Sequence, residues 1–130
     1  MRRNRRDYLR LREEARSLVH ARLTYFNAFY HVPLRKIFIK NHKSRWGSCS
    51  EKGNLNFNYK IVFLPPELAD YIIVHELCHL IEFNHSLDFW TLVSKTTPNH
   101  RLLRRRLREL ERGGVKTEQA VTNLLVLRNG

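Results

Sequence analysis

The segment His75-Glu76-Leu77-Cys78-His79 contains two histidines four residues apart, with a glutamate directly after the first. Residues four apart lie on the same face of an α-helix, so both imidazoles can reach one metal ion. The Glu76 carboxylate then lies beside the metal, where a base can deprotonate a zinc-bound water. Upstream, Pro66 and Glu67 supply the proline and the acid that are typical of a first helical turn. The pattern predicts a metal-bearing helix over residues 66–83.

A third histidine completes the candidate metal site. His85 comes six residues after His79, and on a continuous helix its side chain would point away from the first two imidazoles. The helix is therefore expected to end between them, with Asn84 in a left-handed conformation and Ser86 as the cap of the next helix. Three histidine ligands leave one position open for water, which is typical of a catalytic rather than a structural zinc site.

These residues resemble the signature of the YgjP-like metal-dependent hydrolases, which are small zincin-like proteins. The resemblance runs from about residue 36 to about residue 107 and is carried by segments 44–50, 53–58, 64–65, 70–74 and 75–90. It implies a metallopeptidase-type zinc domain with His75, His79 and His85 as ligands and Glu76 as the catalytic acid/base. The zinc part is also similar to SprT-like and WLM proteases, which act on proteins attached to DNA. This chain differs at its N-terminus, where a basic helix replaces the longer β-rich lead-in of the family.

Composition is that of a globular domain. A chain of 130 residues with 42% hydrophobic residues can bury one core, so we expect a single domain over residues 1–130. No apolar run is long enough to span a bilayer, and the arginine-rich start lacks the apolar stretch of a signal peptide. Cys49 and Cys78 form no disulfide framework, and Cys78 is interpreted as a small core residue. We expect a cytoplasmic protein without a membrane partner, and the oligomeric state is left open.

The net charge of +12 is unevenly distributed. Residues 51–98 carry three lysines against six acids, whereas residues 17–50 carry six basic residues and no acid. Residues 99–112 carry six arginines against two glutamates. Clustered arginine is typical of a surface that binds a polyanion, and the alternative is a solvated helix face. The candidate polyanion-binding residues share one helix face and are Arg101, Arg104, Arg105 and Arg108.

Periodicity predicts an α+β, zincin-like fold. A small antiparallel or mixed sheet of about three strands is expected to pack on the metal-bearing helix and on flanking helices. Helices are predicted over residues 5–29, 66–83, 86–96 and 99–113, and strands over 35–41, 45–50 and 54–63. Gly53 is expected to take a positive φ in the turn between the last two strands. Residues 115–130 fit a strand, a helix or a mobile tail.

Arg45 and Trp46 are the candidate substrate-binding residues. The Arg45 guanidinium can stabilise an oxyanion or hold a carboxylate or phosphate, or it can pair with Glu51 or Glu82. Trp46 is either a core or hairpin anchor or a platform for the substrate, and Gly47 is expected to serve a backbone conformation that side chains forbid. Three acids are candidates for hydrogen bonds to the ligand histidines, namely Asp70, Glu82 and Asp88.

Several functions fit this set of residues. We favour a zinc-dependent hydrolase of the metallopeptidase type that acts on a peptide or protein. The alternatives are a nucleotide phosphohydrolase that acts as a nucleoside triphosphate pyrophosphatase, a role reported within YgjP-like proteins, and a DNA-associated SprT-like protease. A non-enzymatic nucleic-acid-binding zinc module is disfavoured, because structural zinc sites normally have four protein ligands.

Overall fold

Four α-helices and a three-stranded sheet make up the computed structural model, which describes residues 5–112. The elements in chain order are α1 (Arg5–Tyr30), β1 (Ile37–Lys40), β2 (Gly47–Cys49), β3 (Leu55–Asn58), a 3₁₀ helix (Tyr59–Phe63), α2 (Pro66–His79), α3 (Leu87–Thr96) and α4 (His100–Arg112). The predicted α+β class is confirmed. The predictions for the end of the last helix at residue 113 and for residues 115–130 lie outside the described residues.

The sheet is mixed and has the strand order β1-β3-β2. β1 runs parallel to β3, with Ile37 opposite Leu55, and β2 runs antiparallel to β3, with Gly47 opposite Phe57. The turn between β2 and β3 contains Gly53 at φ 89°, as the sequence predicts. Within residues 5–112, β2 pairs with β3 alone, so it is an edge strand, and it packs beside α2.

The predicted strand over residues 54–63 is too long. β3 ends at Asn58, whose side-chain oxygen accepts a hydrogen bond from the Lys60 backbone N–H at 3.1 Å and caps the 3₁₀ helix that follows. All five residues of that helix are buried. Residues 59–63 show no alternation of apolar and polar residues, and such a segment fits a short buried helix as well as a strand. Hydrophobic periodicity therefore could not distinguish the two.

The predicted end of the metal-bearing helix is also wrong. α2 ends at His79 instead of residue 83, because its last hydrogen bonds tighten: the Leu80 N–H reaches the Leu77 carbonyl at 3.1 Å. Asn84 does not take a left-handed conformation. Among the described non-glycine residues, only His31 has a positive φ, of 56°, and it follows the end of α1.

α2 is the central element of the core. Residues on almost every side of it are buried, and it contacts α1, α3, α4 and β2. α1 packs one apolar stripe against α2 and the 3₁₀ helix, made of Leu11, Ala15, Val19, Leu23 and Phe26. The exposed residues of α2 are Pro66 and Glu67 in its first turn, whereas its C-terminal turn is largely buried, so the side chains of that turn are held in fixed positions. None of the helices in residues 5–112 is long and apolar enough to cross a membrane.

Candidate metal centre

The C-terminal turn of α2 and the loop after it bring three histidines together. His75 and His79 lie one turn apart on α2, and His85 returns from the loop that precedes α3. One ligand nitrogen from each lies within 4.8 Å of the other two. Nitrogen ligands of tetrahedral zinc are on the order of 3.4 Å apart for bonds of ~2.1 Å, so small ring rotations are enough to close the group around an ion. In the described part of the chain, this is the group of at least three candidate ligands that fits a metal.

Neighbouring groups orient two of these rings. His79 Nδ1 lies 3.2 Å from the Glu82 backbone carbonyl, to which it donates in the tautomer that carries the hydrogen there. That tautomer leaves the Nε2 lone pair directed at His85 Nε2, which is 2.8 Å away. The exposed His85 ring stacks on Trp90 at 27° between planes, and the buried Phe89 ring stacks on His79. The candidate ligands are therefore held by a carbonyl and two aromatic rings.

The electrostatics of the group favour neutral imidazoles. Burial lowers the pKa of His79, and the neighbouring His75 lowers it further. The pKa of His85 is also lowered, first by burial and then by His79 and His75. Metal ions bind the neutral form of histidine, so the protein keeps these two side chains in the state that a metal requires.

Glu76 lies beside the histidine group and is buried. One of its carboxylate oxygens is 3.3 Å from His75 Nδ1. On its other side is Gly47 of β2: a Cβ at residue 47 would lie 3.0 Å from Glu76 Cγ and 3.1 Å from the Asn56 carbonyl oxygen. The expectation that Gly47 serves a special backbone conformation is wrong, since Gly53 is the described glycine with a positive φ. Gly47 instead allows the Glu76 side chain to approach the strand closely.

Gly47→Ala is expected to lower turnover by about ten- to a hundredfold, because the new methyl group displaces Glu76 or β2, and a shift of ~1 Å near the chemistry can cost about 10²-fold. Overpacking should also reduce the free energy of unfolding by about 1–3 kcal/mol. Gly53→Ala is the control, since its positive φ makes alanine strained there without touching the site. Substrate turnover and urea denaturation measure the two effects. Full activity of Gly47→Ala would show that the contact does not position Glu76.

The two candidate substrate-binding residues border the site. Arg45 and Trp46 line a recess of about 250 Å³ together with His75 and Glu76. Trp46 Nε1 donates a hydrogen bond to Glu111 at 2.8 Å, so this ring joins the loop before β2 to α4. Arg45 is exposed, and within residues 5–112 it forms no ion pair with Glu51 or Glu82.

The four candidate polyanion-binding arginines of α4 are all exposed, but they have different surroundings. Arg104 and Arg108 line the recess beside Glu76, and Arg104 also lies over the Trp90 ring at 5.5 Å. Arg101 lines a neighbouring groove between α3 and α4. Arg105 borders neither of these cavities. Of the four arginines, only Arg104 and Arg108 therefore line the recess beside Glu76.

Tyr71 is a site residue that the sequence reasoning missed. It is buried and lines the recess beside Glu76, and its ring centre is 5.9 Å from that of His75. Burial raises the pKa of its hydroxyl, which therefore stays protonated. The signal was present in the spacing, because residue 71 precedes His75 by four and so lies on the same helix face.

Within residues 5–112, none of the three acids proposed as hydrogen-bond partners of the ligand histidines contacts them through its carboxylate. Asp70 forms a two-pronged ion pair with Arg22 of α1, at 2.8 and 3.0 Å. Glu82 contacts His79 by its backbone carbonyl. Asp88 lies exposed in the first turn of α3, and no hydrogen bond from it to a ligand histidine is found within residues 5–112.

Asp70→Asn is expected to lower the free energy of unfolding by about 1 kcal/mol, because the half-buried Arg22 then loses a charged partner. Metal affinity should stay unchanged, since the Asp70 carboxylate contacts α1. Urea denaturation and metal titration measure the two quantities, with the exposed Glu67→Gln as the matched control on the same helix. A large loss of metal affinity would restore Asp70 as a partner of the ligands.

Comparisons with known proteins identify a family and a similar fold. A family profile described as "YgjP-like, metallopeptidase domain" matches residues 3–110, a range that includes α1. Among solved structures, the chain is similar to the metallopeptidase zymogen of Pyrococcus abyssi abylysin, with 25% sequence identity and a TM-score of 0.62. That similarity covers 68% of this chain and 90% of the other. The comparison with curated proteins finds no match.

Proposed function

The chain belongs to the family of YgjP-like metallopeptidase domains, and on that premise we propose that it is a zinc-dependent peptidase in which Glu76 is the catalytic base. The observation that carries the proposal is the convergence of His75, His79 and His85 beside the buried Glu76. The family implies a divalent metal, and the three histidines can hold one. Imidazole nitrogens in a set of three are typical ligands of catalytic zinc, which makes zinc the proposed ion.

The chain's own residues account for the proton transfers of peptide hydrolysis. Zinc, when bound, supplies the Lewis acid that polarises a water molecule and the scissile carbonyl. The Glu76 carboxylate accepts the proton of the attacking water and then passes it to the leaving amine. Burial of this side chain and its contact with Gly47 keep it in one orientation. Tyr71, with its hydroxyl protonated in the adjoining recess, is a hydrogen-bond donor available to the developing oxyanion.

The edge strand β2 offers a place for an extended peptide. All three of its residues line a cleft of about 420 Å³ that also contains Glu76, His75 and His79. An unpaired strand edge can bind a peptide through main-chain hydrogen bonds, which hold it without regard to most side chains. The proposed peptide would lie along β2 with its scissile bond beside Glu76.

The proposal is tested by a substrate screen of the zinc-loaded protein and of Glu76→Gln. Casein and a mixed peptide library should be cleaved by the unmodified protein only. Nucleoside triphosphates form the second arm, since a phosphohydrolase would use the same metal and base. Hydrolysis of triphosphates without cleavage of any peptide would contradict the peptidase and favour the phosphohydrolase alternative. Cleavage restricted to protein bound to DNA would favour the DNA-associated protease.

Nucleic acid is a proposed partner because the arginines of α4 are exposed along one face. Phosphate contacts position a protein without reading bases, so no sequence preference is expected. Binding to duplex DNA should weaken with salt, with log K falling by about 0.9 per phosphate neutralised for each unit of log salt concentration. Replacing Arg101, Arg104 and Arg105 by Gln should reduce both the affinity and that slope. If the unmodified protein does not slow the migration of DNA in a gel at low salt, the arginines of α4 form only a solvated helix face.

A further inference from the structure

We infer that the recess beside Glu76 binds a carboxylate of the substrate, so that the enzyme selects acidic peptides through Arg104 and Arg108. The inference rests on the proposed peptidase function and names its substrate class. Three guanidinium groups converge on this recess from two separate parts of the chain: Arg45 comes from the loop before β2, and the other two from α4. The cavity, of about 250 Å³, has the size of a subsite for one side chain.

The three guanidinium groups are available to a ligand. Within residues 5–112, none of them has a carboxylate oxygen within 4.0 Å, whereas Arg22 pairs with Asp70 and Arg16 with Glu13. The recess does contain one acid besides Glu76. This is Glu111, whose carboxylate accepts the Trp46 indole hydrogen bond at 2.8 Å. The charge that remains for a ligand is positive, and arginine presents paired donors that match a carboxylate.

The packing of α4 fixes the backbone positions from which its two arginines reach the recess. The buried Leu103 and Leu107 anchor α4 against the core, and α4 contacts α2 directly. The Arg104 guanidinium lies over the Trp90 ring, and Trp90 stacks in turn on His100. Arg108 lies one helical turn further along the same face. A cation held over an aromatic ring loses less entropy on binding an anion than a free side chain does.

The position of the recess determines which substrate group it meets. Glu76 and His75 line the recess themselves, so a carboxylate bound there lies within one or two residues of the scissile bond. An acidic side chain or a free C-terminal carboxylate satisfies this requirement. A lysine at the same position of the substrate would meet three arginines against two glutamates, a net positive charge, so basic peptides are expected to be cleaved less well than acidic ones.

Matched peptides test the inference. The peptides differ only in a Glu, Gln or Lys residue beside the cleavage site, and a further pair carries a free or an amidated C-terminus. We expect the acidic member to be cleaved with a kcat/KM at least about tenfold above that of its neutral isostere. The double variant Arg104→Gln/Arg108→Gln should remove the preference, and Arg104→Glu/Arg108→Glu should reverse it towards lysine. Arg106→Gln is the matched control, because Arg106 is exposed on α4 but borders no part of the recess.

A binding measurement separates this inference from the proposed function. The chain has two tryptophans, Trp46 in the recess and Trp90 beneath Arg104, so intrinsic fluorescence can report peptide binding by the zinc-loaded Glu76→Gln variant. Tighter binding of acidic peptides that depends on Arg104 and Arg108 supports the subsite even if no peptide is cleaved. Equal cleavage of acidic and neutral peptides overturns the subsite and leaves the peptidase standing. Inorganic phosphate or ATP that binds more tightly than every acidic peptide would also overturn it, since the ligand would then be a phosphate.

Discussion

Glu76→Gln is expected to lower peptide turnover by on the order of a hundred- to ten-thousand-fold, because an amide cannot accept the proton of the attacking water. Glutamine has almost the same shape as glutamate, so the contact with Gly47 and the packing of α2 against β2 should be kept. Zinc content and the free energy of unfolding are therefore expected to stay close to those of the unmodified protein. Single-turnover and steady-state assays on the zinc-loaded variant measure the loss.

The matched control for this change is Glu67→Gln, an exposed acid in the first turn of the same helix. It removes one negative charge from α2 without altering the site and should keep full activity. Full activity of zinc-loaded Glu76→Gln would exclude this carboxylate as the base. If the variant loses its metal instead, Glu76 acts in holding the metal site together.

The second large effect is expected from His85→Ala, which should weaken zinc affinity by more than about 100-fold. The metal ion would lose one of its three nitrogen ligands. Even residues that only hydrogen-bond to a metal ligand contribute about 10–100-fold to metal affinity. His85 is exposed and belongs to the loop before α3, so the fold should remain. Competition with a chelating dye gives the affinity, and circular dichroism gives the folded state.

His100→Ala provides the comparison for that result. His100 also stacks on the Trp90 ring, but it lies outside the three-histidine group. Its removal should leave zinc affinity within a few-fold of the original value. Equal affinities of His85→Ala and the unmodified protein would mean that the third ligand is another residue.

The sequence predicted the elements whose pattern is local. The apolar stripe of α1 gave a helix that the structure bounds at Arg5–Tyr30, and Ser86 accepts a hydrogen bond from the Phe89 backbone N–H as the predicted cap of α3. The four-residue spacing of His75 and His79 placed both rings on one face of α2. These features depend on helix geometry alone, which explains why they could be deduced without a structure.

Features that depend on contacts between distant segments were not predictable. Gly47 is required by the approach of Glu76, which is 29 positions away in the chain and has no counterpart in a local motif. The end of α2 at His79 likewise follows from a tight turn that lets His85 return, and no glycine or asparagine marks it. Helical spacing put four arginines on one face of α4. The spacing could not indicate that Arg104 and Arg108 face the recess beside Glu76 and that Arg105 does not, because this depends on how α4 packs on α2.

A crystal structure of the zinc-loaded protein is the sharpest test of whether His75, His79 and His85 hold one zinc ion beside Glu76. Anomalous diffraction on the two sides of the zinc absorption edge should give one peak per chain. We expect this peak to lie ~2.1 Å from one nitrogen of each of the three histidines. A peak surrounded by other side chains, or no peak between these rings in crystals grown with zinc, would show that the three histidines are not the zinc ligands.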